Sequence, residues 1–130
     1  MIVLDTHALV WWLAGGPLSE GARDAISRHA ARRAVYASSI TTWEIAMLAA
    51  AGRLELTIDV ADWLARAEAV DSLHFVPVDN RIALASTRLP APFHRDPADR
   101  IIVATARALD APLVTRDARL ERYPHVETVW

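Results

Sequence analysis

The chain has 130 residues, of which 53% are hydrophobic, and its formal net charge is −2. This length is enough for one buried core, so we expect a single domain over residues 1–130. The absence of cysteine excludes disulfides, thiolate metal sites and cysteine nucleophiles, and the absence of lysine excludes Schiff-base and P-loop chemistry. The small net charge also argues against a protein that coats nucleic acid by bulk electrostatics.

The apolar start of the chain is not typical of a targeting segment. Residues 1–16 lack a basic leading region, and Asp5 and His7 interrupt the apolar run. No stretch of the sequence is long enough to span a bilayer. We therefore expect a cytoplasmic protein with no membrane partner.

The first half of the chain alternates between short apolar strand patterns and helical patterns. The Gly15-Gly16-Pro17 segment ends the first helical pattern, and Ser19 and Thr41 are placed to begin the next two. The predicted elements are a strand at 2–4, helices at 7–14 and 19–33, a strand at 34–37 and a helix at 41–52.

The second half continues this alternation, with an aspartate at each helix start. Asp59, Asp79 and Asp96 each precede a helical pattern, and Pro97 suits a first helical position. Apolar strands that alternate with helices indicate an α/β fold with a mainly parallel sheet covered by helices on both faces. The predicted elements are helices at 59–70, 79–88 and 96–109, strands at 74–78, 112–115 and 126–130, and a proline-rich loop at 89–93.

Four acids are predicted to lie at one edge of this sheet, beyond the carboxyl ends of its strands. Asp5 directly follows the first strand, and Asp117 comes two residues after Thr115, at the end of a later strand. Glu44 and Asp99 fall in the first turns of helices that begin at the same edge. Because open α/β sheets bind ligands at this edge, the four acids are candidate functional residues.

Each acid taken alone has a structural explanation. Acids are favoured at helix starts, the 41–44 segment fits a capping box, and the 96–99 segment combines a cap, a proline and an acid. However, two carboxylates about 4 Å apart repel by about 4 kcal/mol at an effective dielectric of 20, so a cluster of four needs a cation. Oxygen ligands suit Mg²⁺ or Mn²⁺, and a metal-activated water at such a site hydrolyses phosphodiesters.

Four segments, in their order and spacing, resemble the PIN-domain family. They are residues 2–6 (IVLDT), 39–45 (SITTWEI), 96–106 (DPADRIIVATA) and 113–117 (LVTRD). Within the family, the sequence is most similar to the VapC-type toxin ribonucleases of type II toxin–antitoxin (VapBC) pairs, because of its length and its WEI and DPxDR segments. The resemblance spans nearly the whole chain.

The resemblance implies a three-layer α/β/α sandwich and a metal-dependent endoribonuclease. Asp5, Glu44, Asp99 and Asp117 match the family's metal-binding and catalytic acids. Mg²⁺ or Mn²⁺ is the implied cofactor and RNA the implied substrate, with a homodimer and a cognate antitoxin protein as the implied assembly. Asp96 is either a further ligand or the cap of the helix that carries Asp99.

Four further residues are candidate substrate contacts. Thr6 and Thr115 adjoin matched acids, where a hydroxyl either orients a carboxylate or caps the local backbone. Arg100 and Arg116 also flank matched acids, and they either bind RNA phosphates or balance the carboxylates. His94, which precedes Asp96 and Asp99 in the HRDPAD segment, is a further candidate for a substrate or loop role.

Two other functions compete with the nuclease. A phosphatase on a similar fold would use Asp5 as its nucleophile, but it needs a second acid where His7 stands and a lysine that this chain lacks. A non-enzymatic protein-binding module would use the acids only as helix caps. Only the nuclease requires all four acids jointly for metal binding.

Overall fold

The computed structural model describes the whole chain, Met1–Trp130. Five short strands and seven helices alternate along the sequence. The strands are β1 (Ile2–Leu4), β2 (Val35–Ser38), β3 (Leu73–Val76), β4 (Leu113–Val114) and β5 (Thr128–Val129). The helices are α1 (Thr6–Ala14), α2 (Glu20–Ala30), α3 (Ile40–Ala50), α4 (Val60–Glu68), α5 (Asn80–Thr87), α6 (Pro97–Ala108) and α7 (Ala118–Glu121).

All five strands lie parallel in one sheet, in the order β3-β2-β1-β4-β5. In the central strand, Leu4 is in register with Ala37 of β2 and with Val114 of β4. The chain therefore leaves β1, β2 and β4 at the same edge. The predicted α/β fold with a mainly parallel sheet is confirmed.

The core has two parts, one on each face of the sheet. Ile2 and Leu4 belong to a cluster that includes residues of α1 and α2, whereas Val3 between them belongs to a cluster with Ile102 and Val103 of α6. Successive side chains of a strand point to opposite faces, so β1 is covered by helices on both sides. This arrangement is the three-layer α/β/α sandwich.

Side-chain caps define most helix starts where the sequence predicts them. Ser19, Asp59, Asp79 and Asp96 each accept a hydrogen bond from a backbone N–H in the first turn of the following helix. These caps satisfy amide groups that the helix itself leaves without partners. None of the helices combines the length and the apolar character that crossing a membrane would require.

Two local predictions are wrong. Helix α3 begins at Ile40, whose N–H donates to the Ser38 hydroxyl oxygen at 3.2 Å, so Thr41 is inside the helix and the predicted capping box is absent. Glu44 accordingly lies in the second turn of α3 rather than the first. The sequence analysis also missed α7, a four-residue helix that Asp117 caps.

Candidate active site

Asp5 is fixed where β1 passes into α1. Its backbone N–H donates to the Val114 carbonyl at 3.1 Å, which continues the pairing of β1 with β4. Its carboxylate accepts from the Ala8 N–H at 2.9 Å and caps α1. The aspartate is therefore held both by the sheet and by the helix that follows.

Asp117 is placed in a similar way after β4. The Asp117 N–H donates to the Thr115 hydroxyl at 3.0 Å, and its carboxylate accepts from the Arg119 N–H at 2.8 Å as the cap of α7. Thr115 is completely buried. The threonine thus shapes the backbone between the two elements, and its hydroxyl also hydrogen-bonds the Asp5 carboxylate.

Glu44 approaches the same edge from α3. One turn earlier on that helix, the buried Thr41 accepts a hydrogen bond from the Thr6 hydroxyl at 3.3 Å. This contact links the start of α1 to α3, because Thr6 directly follows Asp5. Thr6 therefore joins the elements that carry Asp5 and Glu44.

Asp99 stands in the first turn of α6, next to the helix cap. The exposed Asp96 accepts from the Asp99 N–H at 3.1 Å, so its carboxylate is engaged as the cap of α6. The Asp99 carboxylate meets His94 Nε2 at 2.7 Å. His94 in turn stacks on Phe93, with ring centroids 4.5 Å apart.

These acids line a single open cleft of about 550 Å³. The residues that line it include the four matched acids and Asp96, together with Thr6, Arg116 and Arg119. The cleft continues past the acids to residues contributed by α1, α3 and the turn after α3, namely His7, Trp11, Leu48 and Arg53. Acids separated by more than 100 positions in sequence thus share one concave surface.

Burial and mutual repulsion raise the pKa of three of the acids. The Asp5 pKa rises to about 6, mainly because burial disfavours the charged form, although hydrogen bonding by Thr115 opposes the rise. Burial is also the main cause of the raised pKa values of Glu44 and Asp99, and the charge of Asp96 adds to both. These carboxylates lack enough positive charge around them.

The pKa of Asp117 moves in the opposite direction. Its carboxylate accepts hydrogen bonds from the Arg119 side chain, with Nη2 to Oδ2 at 3.0 Å and Nε to Oδ1 at 3.3 Å. These bonds are the main cause of the lowered pKa of Asp117. Arg119 Nη2 also lies 3.4 Å from Asp99 Oδ2, so a single guanidinium bridges two of the matched acids.

Arg100 is not at the acids, contrary to both interpretations of it from the sequence. Its guanidinium donates to three backbone carbonyls, those of His94, Phe93 and Ser86, at 2.9, 3.2 and 3.2 Å. It also lies over the Phe93 ring, 5.4 Å from the centroid. Arg100 therefore holds the loop that presents His94 to Asp99.

A family model, the PIN domain, matches residues 2–126 of this chain. The chain belongs to the PIN domain family.

One relative and two solved structures agree with this assignment. The chain is 41% identical to Ribonuclease VapC22 of Mycobacterium tuberculosis over 133 residues, which cover 99% of this chain and 98% of that protein. The predicted resemblance to VapC-type PIN proteins is therefore confirmed.

The two solved structures share the PIN fold at low sequence identity. VapBC2 from Rickettsia felis, bound to a DNA fragment from its promoter, has a TM-score of 0.69 at 18% identity, with 98% of this chain and 97% of that chain covered. A toxin–antitoxin complex from Klebsiella pneumoniae has a TM-score of 0.64 at 20% identity, with 97% and 95% covered. Likeness at this level of identity establishes the fold alone.

The donor set of this PIN cleft fits a hard divalent cation. Five carboxylates line it, and the one histidine that touches a matched acid is hydrogen-bonded to Asp99. With the side chains as they stand, however, no three acidic or histidine groups converge closely enough to hold a metal ion. The set is suitable in its chemistry, but it is not preassembled around one point.

Several residues that line the PIN cleft were not predicted from the sequence, among them His7, Arg53 and Arg119, and of these Arg119 is the one that forms ion pairs with the matched acids. Arg119 is the only arginine that forms an ion pair in the structure, and its partners are Asp99 and Asp117. Its position two residues after Asp117 was the one available signal, because an arginine in the turn after an acid readily folds back onto it. Its second contact, to Asp99, comes from the tertiary fold.

Proposed function

We propose that this chain is a divalent-metal-dependent endoribonuclease and the toxin of a toxin–antitoxin pair. The observation that carries the proposal is the single cleft that Asp5, Glu44, Asp99 and Asp117 line together at the carboxyl ends of the strands. Three of these acids have raised pKa values, which is expected where carboxylates are buried near each other without a sufficient counter-charge. Family membership and the relative named Ribonuclease VapC22 support the same conclusion.

The four acids would hold Mg²⁺ or Mn²⁺, the cations that prefer carboxylate oxygens. When bound, the cation activates water and stabilises negative charge that develops on the phosphate. Asp5 and Asp117 would be the most firmly held ligands, because each carboxylate caps the helix that follows a strand. Asp96 acts mainly as the cap of α6, since its carboxylate is exposed and bonded to the Asp99 N–H.

Arginines at the cleft would bind the RNA backbone. Arg116 and Arg53 line the cleft, are exposed and form no ion pair, so their guanidinium groups are free to donate to phosphate oxygens. Thr6 and Thr115 would support the acids rather than the substrate, because their hydroxyls are buried and bonded within the protein. The Arg100 guanidinium is not available to bind a phosphate, because it donates its hydrogen bonds to loop carbonyls.

The expected partners follow from the same proposal. An antitoxin protein would occlude the cleft, and two copies of the chain would form a homodimer. The fold is shared with VapBC2 and with a toxin–antitoxin complex, which supports an antitoxin partner for this chain. A cytoplasmic location is consistent with an RNA substrate.

Cleavage of total cellular RNA by purified, antitoxin-free protein tests this function. We expect discrete products with Mg²⁺ or Mn²⁺, and none with EDTA. Asp5→Asn is expected to reduce the rate by at least about 100-fold, while retaining the cap of α1. Asp79→Asn is the matched control, because Asp79 caps α5 through an equivalent 2.9 Å bond to Ile82 outside the cleft.

Two results would overturn the proposal. One is cleavage that copurifies with the protein but persists in EDTA and is unchanged by Asp5→Asn, which would show that the activity does not depend on a metal or on this acid. The other is a lack of cleavage by folded protein across several RNA pools, which would favour the protein-binding module.

A further inference from the structure

Of the three arginines that line the cleft, Arg119 is the one that forms ion pairs with its acids. Its Nη2 reaches Asp117 Oδ2 at 3.0 Å and Asp99 Oδ2 at 3.4 Å, and its backbone N–H also bonds Asp117. Two of the four matched acids therefore share this one guanidinium. Arg116 lines the same cleft without an ion pair, so the contact is specific to the position of Arg119.

The guanidinium occupies oxygens that a divalent cation would need. Asp99 Oδ2 already accepts from His94 Nε2 at 2.7 Å, and Arg119 approaches the same oxygen. In this arrangement no three acidic or histidine groups converge on a point where an ion would be held. A cation that binds Asp99 Oδ2 and the Asp117 oxygens therefore competes with the Arg119 guanidinium for them.

Arg119 can leave these acids at little cost. Its side chain is 54% exposed, compared with 16% for Asp99 and 29% for Asp117, and it has no other side-chain partner. Exposed ion pairs contribute little to stability, because water screens them and because holding long side chains in one place costs entropy. By contrast, a doubly charged ion that contacts several of the acids at once stabilises their ionised forms more strongly than one guanidinium does.

We propose that Arg119 is an exchangeable counter-cation of the cleft, which pairs with Asp117 and Asp99 in the metal-free protein and is released to bind substrate phosphate when a divalent cation takes these carboxylates. This inference rests on the proposed nuclease function. It assigns to Arg119 a positioning role in which it competes with the metal and assists the RNA.

The position of Arg119 in the chain suits the second half of this role. Because it lies two residues after Asp117, at the first turn of α7, the released guanidinium stays at the cleft. A planar guanidinium donates two parallel hydrogen bonds to phosphate oxygens, the same geometry that it offers to a carboxylate. Exchange between carboxylate and phosphate thus changes the partner but not the type of contact.

Calorimetric titration with Mn²⁺ alone separates this role from a structural one. We expect Arg119→Ala to bind Mn²⁺ about three- to ten-fold more tightly than the wild type, because the ion no longer competes with the guanidinium. Arg116→Ala is the matched control, since it removes the same charge from the same cleft without breaking an ion pair. It is expected to change the Mn²⁺ affinity by less than about two-fold.

RNA kinetics give the second readout, in which Arg119→Ala is expected to weaken RNA binding although it strengthens Mn²⁺ binding. At saturating Mn²⁺, Arg119→Ala is expected to raise KM for RNA by about three- to ten-fold even though it binds the metal more tightly. Arg119→Lys keeps the charge but loses the bidentate fork, so it should fall between the wild type and the alanine variant in both measurements. A residue that merely stabilised the cleft would weaken both affinities when removed.

The outcomes distinguish this inference from the function on which it rests. If the wild type binds Mn²⁺ and cleaves RNA but Arg119→Ala binds Mn²⁺ no more tightly than Arg116→Ala does, the inference is overturned and the nuclease stands. If the wild type neither binds Mn²⁺ nor cleaves RNA, both are overturned.

Discussion

The cleft has two walls whose aspartates differ in their surroundings: a strand wall, formed by Asp5, Ala8 and Thr115, and a helix wall, formed by His94, Asp99, Asp117 and Arg119. On the strand wall, Asp5 is surrounded by the uncharged hydrogen-bonding groups of Ala8 and Thr115, and burial raises its pKa to about 6. On the helix wall, Asp117 is bonded to the Arg119 guanidinium, and its pKa is lowered. Both aspartates follow a strand and cap a helix, so local structure does not account for the difference.

This comparison shows where the cleft lacks positive charge. The helix wall already carries His94 and Arg119 against Asp99 and Asp117. Asp5 forms no ion pair, so its charge is the one that the fold tolerates least. The ionised Asp5 therefore lowers the stability of the folded protein.

The largest loss of stability is expected at Arg100, which holds the loop that presents His94 to the helix wall. Arg100→Ala removes donors to the carbonyls of Ser86, Phe93 and His94, so we expect a loss of about 2–4 kcal/mol in the free energy of unfolding. Urea denaturation measures this free energy of unfolding. Arg81 is an exposed arginine of α5 with no such bonds, so Arg81→Ala should change the free energy of unfolding by less than about 0.5 kcal/mol. Equal effects of the two variants would contradict the loop-holding role.

The strand wall should gain stability when the Asp5 charge is removed. The Asp5 pKa is about 6 in the folded protein, against about 3.9 in an unfolded chain, so ionisation above pH 6 destabilises the fold by roughly 2–3 kcal/mol. In EDTA, Asp5→Asn should therefore be more stable than the wild type at pH 7.5. The difference should shrink as pH falls through 6 and vanish only below about pH 3, where the carboxyl is protonated in both states.

Urea denaturation of the two proteins across this pH range checks the prediction. A gain in stability that is the same at pH 4 and pH 7.5 would show that something other than the Asp5 charge is responsible. A loss of stability at pH 7.5 would contradict the description of the strand wall.

Many of these features were predictable because they are local. Ser19, Asp79 and Asp96 were expected to begin helices and do so, since a cap bonds to an amide only three residues away. The parallel sheet followed from apolar strands that alternate with helices. The prediction at Thr41 failed because a capping box and a buried interior threonine look alike in sequence.

The site was predictable in its members but not in its contacts. Order and spacing of motifs pointed to the four acids that line the cleft, and their roles as metal ligands stay a prediction. The contact of Arg119 with Asp99 joins residues 20 positions apart, and Arg100 is drawn to loop carbonyls. Neither has a local sequence signal, because both depend on how α6, α7 and the loop before α6 pack.

The hydrogen bond between Thr6 and Thr41 joins the start of α1, beside Asp5, to α3, and a double-mutant cycle measures how much it stabilises the protein. Both are buried, and their hydroxyls are hydrogen-bonded to each other, so Thr6→Val or Thr41→Val alone should cost about 1–2 kcal/mol of stability. The double variant should cost clearly less than the sum, because no hydroxyl is then left without a partner. Additive costs in a double-mutant cycle would show that the pair is not coupled.

The smallest effect is expected at Arg116. Because it is exposed and forms no ion pair, Arg116→Ala should leave the melting temperature unchanged and raise KM for RNA by about two- to five-fold. The salt dependence of RNA binding should also weaken, by about one unit of log–log slope. Arg28→Ala, on the exposed surface of α2 outside the cleft, is the control and should change neither quantity.

Joint metal binding by the four acids is the central claim, and calorimetric titration of Mn²⁺ into neutral isosteric variants tests it most directly. Asp5→Asn, Glu44→Gln, Asp99→Asn and Asp117→Asn should each weaken Mn²⁺ binding by about ten-fold or more, while Asp79→Asn binds as the wild type does. Wild-type affinity in all four variants would contradict the claim and leave these acids as helix caps and surface charges.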